Sequence, residues 1–64
     1  MLKMSFYKNG KMVDMWCDYR PLALVTRTRE NEKIYGLKLI RDYMRMDTRV
    51  FEYEGGDYAT IERL

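Results

Sequence analysis

Asn9-Gly10, set between Tyr7-Lys8 and Lys11-Met12, constrains this chain more than any other pair of residues. A type I′ turn needs positive φ at both central positions, which Asn and Gly adopt at low cost, and its twist matches that of the strands it joins. A two-residue turn also fixes a register. It sets Lys8 opposite Lys11, Tyr7 opposite Met12, Phe6 opposite Val13, Met4 opposite Met15 and Leu2 opposite Cys17. Because side chains alternate between faces, the expected core face is Leu2, Met4, Phe6, Val13, Met15 and Cys17. The other face carries Lys3, Ser5, Tyr7, Met12, Asp14 and Trp16.

A second hairpin is read in "VFEYEGGDYATIE". A three-residue loop of Gly55, Gly56 and Asp57 puts Phe51, Tyr53, Ala59 and Ile61 on one face and Glu52, Glu54, Tyr58, Thr60 and Glu62 on the other. A two-residue loop would scatter apolar groups over both faces, so burial favours the longer one.

Between the hairpins, "ENEKIYGLKLIRDYMRMDT" repeats apolar residues at helical spacing: Ile34, Leu37, Ile40 and Met44, with Leu39 and Tyr43. The pattern predicts a helix of about 15 residues within 31–46. Lys38, Arg41, Asp42 and Arg45 fill its opposite arc, Glu30 and Glu32 suit the positive end of the helix dipole, and Thr28 or Asn31 could cap it. Gly36 opposes this assignment by about 1 kcal/mol relative to Ala. Leu22–Thr28 reads as a short strand entered through Pro21. The expected fold is a single α+β domain, residues 1–64. It is a small antiparallel sheet of two β-hairpins plus a short strand, with one helix packed on the face of Phe6, Val13, Phe51 and Ile61. The alternative is a small all-β barrel, in which "LALVTRT" turns through "RENEK" into "IYGLKLI".

Composition then limits what can hold so short a chain together. A domain of this size buries only roughly 60% of the surface its unfolded form exposes, and small domains compensate with disulfides, metals or association. A lone Cys17 and no His exclude an internal disulfide and the usual zinc ligand sets, so no cofactor or metal is expected. Oligomerisation or a partner is what is left. The 47% hydrophobic fraction is too high for a disordered chain. No apolar run suits a membrane span or a signal peptide, and an unpaired thiol suits a cytoplasmic location.

The net charge of +2 is small for a dedicated nucleic-acid binder. Its distribution is uneven: residues 1–29 carry six Lys or Arg against two Asp, and residues 50–64 one Arg against four acids. Enzymatic chemistry is not expected. Without His, acid–base work would need carboxylates, Tyr or Lys set around a cleft that a 64-residue domain can hardly enclose. "YEGGDY" lacks the helix and lysine of a phosphate loop, and Cys17, on the expected core face, acts as a small hydrophobe.

What is left over is surface. Trp16 and Cys17 are strand neighbours and point to opposite faces, so the expected register gives the core to Cys17 and leaves Trp16 beside Tyr7 and Met12. Tyr19 and Arg20 follow directly. Trp, Tyr, Met and Arg are the residues that anchor protein interfaces. The expectation is a small interaction protein, a regulator or inhibitor that binds another protein through Tyr7, Met12, Trp16, Tyr19 and Arg20. Such economy is common among virus-encoded and mobile-element proteins. The bland alternative folds Trp16 back into a second small core. Two other readings stand beside it: nucleic-acid binding by a basic helix stripe of Lys38, Arg41 and Arg45, and a homo-oligomer whose aromatic face pairs with itself about a two-fold axis.

Overall fold

The computed structural model describes residues 1–64 as β1 (Leu2–Lys8), β2 (Lys11–Asp18), α1 (Pro21–Tyr35), β3 (Leu39–Arg45), β4 (Thr48–Tyr53) and β5 (Tyr58–Arg63). The strands form one antiparallel sheet in the order β2-β1-β5-β4-β3, so the first and last strands pair near its middle. With α1 on one face, the fold is a small α+β architecture with an open sheet and not a barrel.

The first turn is as the sequence requires: Asn9 has φ 54° and Gly10 φ 76°, and Lys8 pairs with Lys11 and Tyr7 with Met12. The register then slips. Val13 is an extra residue in β2, so Phe6 faces Asp14, Ser5 faces Met15, Met4 faces Trp16, Lys3 faces Cys17 and Leu2 faces Asp18. A bulge of one residue exchanges the two faces of everything beyond it. The expected pairs Phe6–Val13, Met4–Met15 and Leu2–Cys17 therefore do not form. Asp14 and Trp16 turn toward the helix instead, while Met15 and Cys17 turn away. The helix rewards the slip: Arg27 donates two hydrogen bonds to Asp14, at 2.8 and 2.9 Å, Asn31 donates a third at 2.9 Å, and the Arg27 guanidinium lies 4.5 Å from the Trp16 ring.

The helix is not where apolar periodicity put it. It occupies Pro21–Tyr35, the segment expected to begin as a strand, and much of 31–46 is the edge strand β3. Proline suits a first helical turn, where its missing N–H has no partner to lose. At the other end Gly36 takes the left-handed conformation, φ 63°, and Leu37 N–H donates to the Glu32 carbonyl at 2.8 Å while Gly36 N–H donates to Lys33 at 3.3 Å. That pair of bonds is a Schellman cap, which closes the last turn. Thr28 and Asn31 are not caps. They lie mid-helix with Leu24 on the buried stripe, where Thr28 Oγ1 donates back to the Leu24 carbonyl at 2.8 Å. Leu22 and Ile34 point to solvent, 75% and 71% exposed.

The core is Met4, Phe6, Leu24, Phe51, Tyr53, Ala59 and Ile61, flanked by Leu2, Val25, Tyr35, Leu37 and Leu39. Val13, expected there, is exposed. The Phe6 ring stacks on Tyr53 at 5.4 Å and on Tyr35 at 6.1 Å. Tyr53 keeps its hydroxyl satisfied by donating to Glu32 Oε2 at 2.7 Å, and burial together with that bond pushes the phenol well above its ordinary pKa. The β4–β5 hairpin buries the expected set, Phe51, Tyr53, Ala59 and Ile61. Its loop is Glu54-Gly55-Gly56, one residue earlier than expected: Tyr53 N–H donates to the Asp57 carbonyl at 2.9 Å and Phe51 pairs with Ala59. Moving the loop by one residue shifts the pairing by two, which leaves the faces unchanged.

Candidate functional site

The face of the sheet away from α1 has no covering layer. Strand pairing lays out its rows. Met15, Ser5, Thr60, Val50 and Tyr43 cross the sheet from β2 to β3, and Met12, Tyr7, Tyr58, Glu52 and Arg41 cross it in the next row. Tyr7 and Tyr58 stack with ring centroids 4.7 Å apart, on the neighbouring strands β1 and β5. Met12, Met15 and Tyr58 remain 39–49% exposed.

The charges on this face are matched within it. Lys3 Nζ lies 3.7 Å from Glu62, and Glu52 accepts hydrogen bonds from Arg41 Nε at 2.8 Å and from the Tyr43 hydroxyl at 3.0 Å. Arg41 and, less strongly, Tyr43 hold the Glu52 carboxyl below the usual range, and the same bond raises Tyr43. The Arg41 guanidinium also lies 4.9 Å from the Tyr43 ring. Arg45 is the one cation of the face without a carboxylate partner. Ile40, Tyr43, Arg45, Val50, Tyr58 and Thr60 line a shallow groove of about 540 Å³. The result is a nearly neutral surface with an aromatic centre and methionines along one margin.

Both edges of the sheet are blunted. β2 carries the bulge at Val13, and the β3 register shifts between Leu39 and Arg41. Bulges make an edge a poorer template for adding another strand, which favours the open face over the edges as the surface for contact.

The helix side carries a second cluster. Asp14, bonded by Arg27, Asn31 and its neighbour's N–H (Met15, 2.9 Å), is held down to about pKa 2, chiefly by the Arg27 hydrogen bonds against the opposing effect of burial. Trp16, 46% exposed, lies against the same guanidinium. At the β2–α1 corner, Arg20 folds back on Asp18 through Nε at 3.1 Å, Nη2 at 3.0 Å and its own backbone N–H at 2.9 Å. Tyr19 beside it is 75% exposed.

The five contact residues named from sequence thus divide into two groups. Tyr7 and Met12 are paired on the open face. Trp16 is turned to the opposite side by the bulge, and Tyr19 and Arg20 sit at the corner leading into α1. The basic helix stripe does not exist: Lys38 precedes β3, Arg41 and Arg45 lie on β3, and Arg41 is engaged by Glu52. Met15, Tyr43, Val50 and Tyr58 complete the open face and were missed as site residues. Alternation in its hairpin places Tyr58 on the outward side, but its contact with Tyr7 depends on β1 pairing with β5, which no local pattern announces. No group of three or more His, Cys, Asp or Glu side chains is placed to hold a metal ion, and no helix is long and apolar enough to cross a membrane.

No protein-family model matches this chain, and neither a curated protein nor a solved structure matches it.

Proposed function

We propose that this is a small non-enzymatic interaction protein, a regulator or inhibitor that works by docking the uncovered face of its sheet onto a protein surface. One observation carries the reading: the stacked Tyr7–Tyr58 pair lies between Met12 and the internally matched Glu52–Arg41 pair, with Met15, Val50 and Tyr43 in the adjacent row, on a face whose charges are largely neutralised internally. Tyr and Met are enriched at the centres of protein interfaces, and methionine adapts its shape to a partner. A face with matched charges attracts a polyanion weakly, which favours protein over nucleic acid. The reading also places the chain in the cytoplasm, where the unpaired Cys17 thiol stays reduced.

The test is affinity capture from extract of the native cell with four immobilised chains: wild type, Tyr58→Glu, Met15→Lys, and Leu22→Lys on the outer surface of α1. A protein held by wild type and Leu22→Lys, and weakened at least about tenfold by both face substitutions, is the expected result. A protein held equally by all four chains would place the docking surface elsewhere.

Nucleic-acid binding has one observation in its favour, the unpaired Arg45 in a groove shared with Tyr43 and Tyr58. Against it, Glu52 and Asp57 line the same groove. Capture of an oligonucleotide that weakens steeply with salt and requires Arg45 would favour this second reading.

A further inference from the structure

We infer that the occupant of the open face is a second copy of this chain, packed sheet to sheet about a two-fold axis to give a helix-sheet-sheet-helix homodimer. The inference rests on the docking reading above and names its partner.

Charge is the first reason. A face that meets its own copy must not repel it, and here Lys3–Glu62 and Arg41–Glu52 cancel within each copy, leaving Arg45 at the margin as the unmatched charge. The second is geometry. Both edge strands are bulged, which favours a copy stacking on the sheet over one extending it. β5 is the middle strand of five. An axis running along it places Met15 of each copy over Tyr43 of the other and Ser5 over Val50, matching methionine to an aromatic ring and a small side chain to a larger one. Facing sheets pack about 10 Å apart with strands nearly aligned, which this arrangement permits.

Area sets the strength. Five strands about 4.8 Å apart and roughly 20 Å long give a face of about 500 Å² in projection, and more once side-chain relief is included. Stable interfaces bury about 800 Å² per partner. The area available is below that of a standard stable interface, so the dimer is expected to be a weak one. Burial gives the same direction: only seven hydrophobic residues form the core, while Met12, Met15 and Tyr58 stay partly exposed in the isolated chain. Association is the compensation open to a small domain without disulfide or metal.

Sedimentation velocity across the micromolar range tests this. Wild type and Leu22→Lys should pass from monomer to dimer as concentration rises. Tyr58→Glu and Met15→Lys should raise the dissociation constant at least about tenfold with circular dichroism unchanged. Met15 lies at the sheet margin and is half-exposed, so its substitution keeps the test valid if Tyr58→Glu disturbs folding. Wild type that remains monomeric at every concentration would overturn the inference, and so would a dimer that both face variants retain. A monomer that still shows face-dependent capture would reject the second copy and keep the docking reading; a monomer without it would reject both.

Discussion

Phe6→Ala is expected to remove about half or more of the chain's folding stability. Phe6 is inaccessible to solvent, and its ring packs between Tyr53 and Tyr35, so it joins β1, β4 and the end of α1 in one contact. Truncating a buried Phe to Ala costs about 3–5 kcal/mol through lost burial and the cavity left behind. A domain of this length has on the order of 3–10 kcal/mol in total. The loss is therefore comparable with the whole stability. Val13→Ala is the informative control, because the regular hairpin register would put Val13 in the same core. In the bulged register Val13 is 40% exposed, and the substitution should cost no more than about 0.5 kcal/mol. Urea unfolding of both variants checks the contrast; equal losses would mean that the bulge is absent.

The second large effect is expected at Asp14. Its carboxylate is the acceptor that Arg27 and Asn31 share, and the side chain is only 18% exposed. Asp14→Ala removes four hydrogen bonds to the carboxylate, two from Arg27 and one each from Asn31 and the Met15 N–H, and leaves Asn31 buried without that partner. Because Arg27 is itself 39% exposed and can turn to water, the expected loss is about 2 kcal/mol. The pH dependence has a definite sign. The folded-state pKa of about 2 lies below the ordinary value of 3.8, so this contribution is present above about pH 4 and disappears as pH falls toward 2. Trp16 reports the event, since it is the only tryptophan and Arg27 lies on its ring. Acid titration followed by Trp16 fluorescence should show a transition between about pH 4 and 2 in the wild type, and Asp14→Ala should already have its acid-side spectrum at neutral pH. A variant with unchanged spectrum and stability would show that the cluster does not hold α1 to β2.

The parts of the fold legible from sequence are those fixed by local chemistry. Asn9-Gly10 announces a turn with two positive φ values, and strict alternation from Phe51 to Ile61 announces which side is buried even though the loop was misplaced by one residue. The helix was hidden because its buried stripe, Leu24, Thr28 and Asn31, is mostly polar, while the apolar Leu22 and Ile34 face water. Its termini were better marked than its face: Pro21 stands in the first turn and Gly36 just past the end, the asymmetry that helices favour. The bulge was hidden for a different reason. Nothing in "KMVDMWCD" requires an extra residue; the slip is decided by Arg27 and Asn31, which lie on another element. Two residues of the candidate site, Tyr7 and Met12, follow from the first turn, which pairs them. Met15 needed the bulge, and Tyr58, Thr60, Val50 and Tyr43 needed the order of strands in the sheet.

The bulge decides which residues are left on the open face, so the side on which Trp16 lies tests the division most directly. A regular ladder would put the indole on the face of Tyr7 and Met12, whereas the bulged ladder sets Trp16 opposite Met4, on the side of α1. The measurement is the set of nuclear Overhauser contacts made by the Trp16 indole in the wild-type chain. The expected result is contacts with the Arg27 side chain and none with Tyr7 or Met12. An indole that contacts Tyr7 and Met12 instead would contradict the division of the sheet into a helix-covered face and a docking face.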